Sequence, residues 1–199
     1  MGLSMALRGF KRLFIIFHPC KNTADMQPEI HEILMLLICT VHIAVLKWNQ
    51  ERGGLMISKL YYHSKKGNTA KVAEAMARAA ATTPTEIETG AADVHADLLF
   101  IGDGNYGGKV DPATEKFIAG LDPKHIGRAV AFGTYGFNKQ NVLKLQQLLE
   151  ARGIAVEENA FACKGKYGIL NGKHPSDKDL SDAVLFVDHI VRKYKAQQK

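Results

Sequence analysis

A short polar segment, Ser64-Lys65-Lys66-Gly67-Asn68-Thr69, has the composition of an anion-binding loop. It follows an apolar segment that ends at Tyr62 and precedes an Ala-rich segment with a helical pattern, so it predicts a turn from a strand into a helix. A helix N-terminus carries unpaired backbone N–H groups and a partial positive charge, and both favour a bound phosphate. Ser64 and Thr69 would add hydroxyl donors, and Asn68 is a good N-cap.

Two further loops of similar character follow apolar segments. They are Gly102-Asp103-Gly104-Asn105-Tyr106-Gly107-Gly108 and Phe132-Gly133-Thr134-Tyr135-Gly136-Phe137-Asn138. If the preceding segments are parallel strands, their carboxyl ends meet at one edge of the sheet, where ligands of such folds bind. The three loops therefore predict a single ligand site.

The elements that must position these loops alternate between strand and helix patterns, which is typical of a parallel sheet covered by helices on both faces. The predicted strands are Ile57–Tyr62, Thr85–Glu88, Asp97–Gly102, Arg128–Gly133 and Ile154–Cys163. The predicted helices are Asn68–Ala81, Pro112–Leu121, Asn138–Arg152 and one that opens at Ser176 or Asp177 and ends near Lys193.

Composition narrows the class of protein. The 199 residues are 46% hydrophobic and 23% charged, as in a soluble globular chain with little room for a second full domain. The net charge of +6 comes without a stripe of basic and aromatic residues, so nucleic-acid binding is not predicted. Cys20, Cys39 and Cys163 have no metal-ligand or CxxC spacing, which indicates a reduced, cytoplasmic protein.

Residues 1–55 differ from residues 56–199, which form the predicted domain. The apolar run Ile33–Leu46 has 14 residues, whereas a membrane-spanning helix needs roughly 20. Association with a membrane is therefore not expected unless residues 1–55 act as an anchor. An amphipathic or docking helix remains an alternative for this segment.

A third alternative is that residues 1–55 are a translated leader. The segment Glu51-Arg52-Gly53-Gly54 can be encoded by a purine-rich run that is typical of a bacterial ribosome-binding site. It lies directly upstream of Met56, which precedes the first predicted strand. Under this hypothesis Met56 is the initiator, and the mass of the protein made from its native gene would test it.

Residues 56–199 resemble the flavodoxin-like family of small FMN-binding proteins, whose first loop reads roughly S/T-x-T-G-N-T. Ser64, Gly67, Asn68 and Thr69 match that pattern. The resemblance implies a three-layer sandwich with a five-stranded parallel sheet of order 2-1-3-4-5, and a first loop that wraps the phosphate of FMN rather than FAD. Lys65 and Lys66 depart from the small hydroxyl residues of the family, and they either strengthen phosphate binding or point outward.

The resemblance also implies roles for the other two loops. Tyr106 would stack on the isoalloxazine, next to Asn105, and the Gly107-Gly108 peptide would reorient when the flavin is reduced. Backbone amides from Thr134 to Phe137, through Tyr135 and Gly136, would meet the pyrimidine edge, and Tyr135 would cover a ring face. The alternatives are an ordinary glycine-rich second loop, and a third loop in which Tyr135 and Phe137 pack on the neighbouring helix. The segment from Phe161 to Tyr167 either borders the flavin or is an ordinary connection.

Three functions follow from this resemblance. The favoured one is an electron carrier that exchanges electrons with larger redox partner proteins. The second is an FMN-dependent NAD(P)H:quinone or acceptor oxidoreductase, and the third is an interaction module that has lost FMN. Carriers of the family are usually acidic, whereas residues 56–199 contain 20 Lys and Arg against 16 Asp and Glu. No metal site and no catalytic side chain are predicted, and Cys163 is interpreted as a buried thiol.

Overall fold

The computed structural model describes residues 56–88 and 93–197 of the chain. The hypotheses on residues 1–55 lie outside the described residues. In the described residues, five parallel strands form one sheet, with β3 at its centre and the order β2-β1-β3-β4-β5. The predicted order is therefore confirmed. The strands are β1 (Ser58–Tyr62), β2 (Pro84–Glu86), β3 (Ala96–Gly104), β4 (Ile126–Tyr135) and β5 (Phe161–Lys164).

Within the part of the chain that the structure describes, four helices connect and cover the strands, and a 3-10 turn at Pro123–His125 leads into β4. They are α1 (Asn68–Ala79), α2 (Pro112–Ala119), α3 (Gln140–Ala151) and α4 (Asp177–Gln197). Asp111 caps α2 through its side chain, and Pro112 takes the first helical position, where its missing N–H costs nothing. No helix of the described residues has the length and apolar character needed to cross a membrane.

Strand β3 is buried along nearly its whole length because helices cover both faces of the sheet. Leu99 and Ile101 point into one core, together with apolar side chains of α2 and α3. Leu98 and Phe100 alternate with them into a second core, against α1 and α4. The two cores make the three-layer sandwich that the resemblance implied.

The central strands run further than predicted. Pairing of β3 with β4 continues to Gly104 and Thr134, so residues that were expected in loops belong to strands. Gly102 permits this extension, because a Cβ there would lie 2.1 Å from the ring of Phe132. Strands β3 and β4 consequently each end two residues later than the sequence pattern indicated.

The fifth strand is shorter than the predicted Ile154–Cys163. Only Phe161–Lys164 forms regular pairs with β4, and Val156 makes an isolated bridge to Ala129. The intervening chain turns so that the buried carboxylate of Glu157 accepts hydrogen bonds from Lys193 and Tyr194 of α4. A buried charge needs such partners, and this need overrides the apolar pattern of the strand.

Candidate functional site

A cleft of about 190 Å³ lies at the carboxyl ends of the strands. All three predicted loops contribute to it, together with a fourth loop that follows β5. Most of the predicted site residues are therefore brought together, although Lys65, Gly67, Gly108 and Phe137 do not line it. The lining residues are Ser64, Lys66, Asn68, Thr69, Gly104, Asn105, Tyr106, Gly107, Thr134, Tyr135, Gly136, Gly165, Lys166 and Tyr167.

The first loop leads into α1 through Gly67, which takes the N-cap position with a left-handed φ of +73°. Asn68 was expected at this position, and that prediction is wrong. Its side chain instead donates a hydrogen bond to the carbonyl of Lys166, over 3.0 Å, and so ties the first loop to the fourth. Within the described residues no side chain caps the first turn of α1. Its N–H groups are therefore left for a ligand at the mouth of the cleft.

Two buried hydroxyls meet beside this helix terminus. The Oγ1 atoms of Thr69 and Thr134 lie 2.9 Å apart, and either can donate to the other. Each hydroxyl carries one proton, so the pair uses one proton internally and keeps the second for a ligand. The hydrogen bond between Thr69 and Thr134 thus joins α1 to the end of β4, and the pair has one hydroxyl proton to donate to a ligand.

The two lysines of the first loop have different surroundings. Lys65 turns away from the cleft, and its Nζ lies 2.5 Å from Oδ2 of Asp111. The hydrogen bond that Lys65 donates to Asp111 is the main cause that raises the pKa of Lys65. Lys66 lines the cleft, with its Nζ 5.4 Å from the centroid of the Tyr167 ring. Two alternatives were predicted for this pair. Lys65 agrees with an outward orientation, and Lys66 agrees with a position beside a bound phosphate.

Tyr106 lines the cleft between the first and second loops. Its hydroxyl accepts a hydrogen bond from the backbone N–H of Lys65 over 2.8 Å, and the Lys65 ammonium lies 4.4 Å from its ring centroid. Gly104 makes room for this position, because a Cβ at residue 104 would lie 2.7 Å from the Tyr106 hydroxyl. The predicted stacking of Tyr106 on a flavin stays a prediction.

The second loop is fixed by side-chain hydrogen bonds. Asn105 accepts from the N–H of Gly108 over 2.5 Å, and its Nδ2 donates to the carbonyl of Asn138 in the third loop, also over 2.5 Å. Lys144 donates to the Gly108 carbonyl over 2.6 Å. Gly107 and Gly108 both have left-handed φ values, +71° and +76°, which side chains with a Cβ rarely adopt. The Gly107-Gly108 peptide can reorient only if the hydrogen bond from the Gly108 N–H to the Asn105 side chain breaks.

The two aromatic residues of the third loop, Tyr135 and Phe137, were predicted to share one environment, but they lie in different places. Tyr135 lines the cleft, whereas Phe137 lies outside it and is 72% exposed. Phe137 packs edge to face on Tyr167, with ring centroids 5.4 Å apart, rather than on the neighbouring helix. Phe137 therefore lies on the outer side of Tyr167, at the rim of the cleft.

Two carboxylates, Asp103 and Asp111, lie near Tyr106 but do not line the cleft. Asp103 is fully buried, and it accepts hydrogen bonds from the backbone N–H groups of Gly104 (2.8 Å) and Asp111 (2.6 Å). Burial raises the pKa of Asp103 to about 7. For Asp111, burial alone would raise the pKa, but the hydrogen bonds from Lys65 and from the Ala113 N–H outweigh it and hold the pKa below its usual value. The sequence analysis did not include this pair among the site residues.

The fourth loop was the main omission from the predicted site. Gly165, Lys166 and Tyr167 line the cleft, while the sequence left open whether this segment borders it or only connects β5 to α4. Gly165 allows the close approach, since a Cβ there would lie 3.0 Å from Nδ2 of Asn68. One feature of the sequence could have identified this loop as part of the site. It follows β5, a parallel strand whose carboxyl end lies at the same edge of the sheet as those of β1, β3 and β4. In contrast, Cys163 is a buried thiol as interpreted, and burial raises its pKa to about 12.

The sequence matches no model of a known protein family and no curated protein. Solved structures are similar in fold. A flavodoxin from the domain Archaea has a TM-score of 0.56 and 20% identity, over 70% of this chain and 99% of that one. The flavodoxin, WrbA-like protein from Agrobacterium tumefaciens has a TM-score of 0.56 and 19% identity, over 73% of this chain and 100% of that one.

The rubredoxin oxygen:oxidoreductase from Desulfovibrio gigas is also similar, with a TM-score of 0.57 and 19% identity. The match covers 79% of this chain but only 41% of that larger protein. Together with the order of the five parallel strands, these likenesses show that the chain has the flavodoxin-like fold that its loop motifs predicted.

Proposed function

We propose that this chain binds FMN in the cleft and acts as an electron carrier between redox partner proteins in the cytoplasm. The observation that carries the proposal is the uncapped N-terminus of α1, which opens into a cleft formed by four strand-end loops. FMN supplies one- and two-electron chemistry at its isoalloxazine when bound, while the protein supplies binding, orientation and electrostatics.

The phosphate end of the cleft fits a dianion. The N-terminal turn of α1 offers backbone N–H groups, and Ser64 and the Thr69–Thr134 pair add hydroxyl protons. Lys66 adds a positive charge that the structure does not neutralise with a carboxylate among the described residues. This donor set matches a terminal phosphate ester, and the described residues contain no second nucleotide-binding loop that FAD would require.

The ring end of the cleft fits a planar aromatic group. Tyr106, Tyr135 and Tyr167 line it, and Gly107 and Gly136 leave backbone groups accessible between them. The volume of about 190 Å³ is below the roughly 300–1,000 Å³ of enclosed ligand pockets. A flavin held here would stay partly exposed, and an exposed edge is what electron exchange with another protein requires.

A second candidate is the FMN-dependent NAD(P)H:quinone or acceptor oxidoreductase. The observation in its favour is the fourth loop, which brings Lys166 and Tyr167 to the cleft and so walls one side of it. A cation and an aromatic ring at this rim would suit an anionic nicotinamide donor or a planar acceptor. The carrier is favoured because the neighbouring pocket, between Gly108, Phe137 and Asn138, holds only about 100 Å³ and is smaller than the cleft itself.

A spectroelectrochemical titration of the FMN-loaded protein separates the two candidates. For a carrier we expect reduction in two resolved one-electron steps and negligible turnover with NADH or NADPH. A single two-electron step with rapid oxidation of the nicotinamide would favour the oxidoreductase. Protein that contains no flavin and takes up no added FMN would contradict both.

The same titration tests the role of the basic rim. Lys66, Lys109 and Lys139 lie in or beside the loops, while Lys65 is paired with Asp111. Positive charge stabilises a reduced, anionic flavin, so the second reduction potential should be less negative than in acidic family members. Added salt should weaken this effect, because charges more than about 10 Å apart are screened at 0.1 M salt.

A further inference from the structure

Three potential metal ligands meet at the edge of the sheet opposite the cleft. Asp93 and His95 precede β3, and His125 ends the 3-10 turn that precedes β4. One ligand atom from each side chain lies within 4.8 Å of the other two. His125 is distant in sequence from the other two residues, so the spacing of histidines along the chain gives no sign of this cluster.

The register of the sheet places the two imidazoles together. Ala96 of β3 is paired with Ile126 of β4, so the preceding residues, His95 and His125, are neighbours across the strands. Their rings stack with centroids 3.8 Å apart and an interplanar angle of 23°. Asp93 lies two residues before His95. Because side chains alternate along an extended chain, these two side chains lie on the same side. The cluster is therefore a product of strand pairing.

The distances between donor atoms suit a tetrahedral ion. Oδ1 of Asp93 lies 3.1 Å from Nε2 of His95 and 3.4 Å from Nδ1 of His125. Zinc binds nitrogen and oxygen ligands at about 2.0–2.2 Å, which places neighbouring ligand atoms of a tetrahedron about 3.3–3.6 Å apart. An ion can therefore bind all three residues after small side-chain movements.

The chemistry of the cluster also suits a divalent cation. Two imidazoles and one carboxylate form a common ligand set for zinc. A second carboxylate, that of Asp122, lies close to His125. Its side chain accepts a hydrogen bond from the backbone N–H of Lys124 over 2.9 Å, and its backbone carbonyl accepts one from the N–H of His125 over 3.1 Å. The Lys124 and Arg152 side chains oppose a cation, but both carboxylates favour it.

We propose that Asp93, His95 and His125 bind a divalent transition metal of the zinc class, with the fourth position open to water. The nine residues of β3, at about 3.3 Å each, separate this site from the cleft by about 30 Å. The proposal is therefore independent of flavin binding. The ion would join the segments that enter β3 and β4, and because it binds the folded state it would stabilise that state by mass action.

Calorimetric titration of the chelator-treated, full-length protein with Zn²⁺ tests the site. We expect His95→Ala and His125→Ala each to weaken one binding event by at least about tenfold, or to abolish it. The matched control is His189→Ala, which removes an exposed histidine of α4 and should leave the binding event unchanged. Zn²⁺ should also raise the melting temperature of wild type and of the control, but not that of His125→Ala.

Histidines of residues 1–55 are present in every variant, so any zinc that they bind appears equally in all titrations. Asp93→Asn provides a third variant that keeps the size of the side chain, and circular dichroism establishes that each variant is folded. Equal Zn²⁺ binding by wild type, His95→Ala and His125→Ala would overturn the proposal. Absence of Zn²⁺ binding by the wild type would overturn it as well.

Discussion

The two halves of the cleft differ in how far their own hydrogen bonds satisfy them. In the first loop, the turn at Gly67 leaves the start of α1 without a side-chain cap, and Lys66 faces the cleft. In the second and third loops, Asn105, Asn138 and Lys144 tie the backbone down at several points. The first half therefore has backbone donors without an acceptor in the protein. The half formed by the second and third loops, the braced half, is fixed by hydrogen bonds within the protein.

This difference indicates what each half of the cleft contributes to ligand binding. Unpaired N–H groups at a helix terminus cost free energy unless water or a ligand accepts from them, so the first half favours an anion. The braced half has little to gain from hydrogen bonds to a ligand, and it contributes shape and aromatic surface instead. We expect affinity to depend on the first half, and ring orientation and pH response to depend on the second.

The change with the greatest consequence for folding stability concerns the buried carboxylate of Asp103. The pKa of Asp103 is about 7 in the folded protein and near 3.8 when unfolded, so the folded state binds this proton more tightly. The cost of ionising Asp103 is absent below pH 4, grows as the pH rises and is complete above pH 7. It amounts to at most about 4 kcal/mol of unfolding free energy.

Urea unfolding of wild type and Asp103→Asn between pH 4 and pH 8 measures this effect. Asn cannot accept from both backbone N–H groups, but that penalty is independent of pH. As the pH rises, the stability of wild type should fall relative to that of the variant. A difference between the two proteins that stays constant with pH would show that Asp103 does not titrate in this range.

The next effect concerns the donors of the first half. Ser64→Ala combined with Thr69→Val should weaken FMN binding, because each charge-assisted hydrogen bond is worth about 1.5–3 kcal/mol. Quenching of flavin fluorescence during titration gives the dissociation constant. Thr114→Val is the matched control, since this threonine is buried on α2 and its hydroxyl has no partner among the described residues. An equal loss in the control would point to a general packing defect.

Tyr106 contacts both halves, and its ring and hydroxyl can be tested separately. Tyr106→Ala should cost on the order of 1–3 kcal/mol of FMN binding through lost stacking and burial. Tyr106→Phe keeps the ring but releases the Lys65 N–H, so it should retain most of the affinity. If the two variants lose affinity equally, the hydroxyl matters rather than the ring, and unchanged affinity in both would assign the stacking to another residue.

The smallest expected effect distinguishes the adjacent lysines. Lys66→Gln should weaken FMN binding a few-fold and reduce its dependence on salt, because this side chain lines the cleft. Lys65→Gln should leave the salt dependence nearly unchanged, because Lys65 is paired with Asp111. Fluorescence titrations at low and high salt measure both. An equal loss of salt dependence in the two variants would contradict the assignment of separate roles.

The fold was predictable from the sequence because its strongest signals are local. Continuous apolar strands such as Asp97–Gly102 alternate with helical patterns, and that alternation determines the parallel sheet. The limits of the strands were less predictable. Gly102 looked like the end of a strand, yet it continues β3, since the ring of Phe132 on the neighbouring strand occupies the space of a Cβ. Such a contact exists only after the strands have paired.

The site was predictable to a similar degree. The three loops were found because their residue types repeat at strand ends, and the fold brings such ends together. The orientation of Lys65 was not predictable, because its partner Asp111 is contributed by a distant loop. For the same reason the bond from Asn68 to Lys166, which displaces the expected cap, could not be read from local preferences alone.

FMN binding, as proposed, depends first on the contact between the first loop and the phosphate. Titration of the wild-type protein with FMN and with riboflavin, which lacks only the phosphate, tests it most directly. We predict that FMN binds more than about tenfold tighter than riboflavin, and that Ser64→Ala with Thr69→Val narrows this preference. Equal affinity for the two flavins, or no binding of either, would contradict the claim.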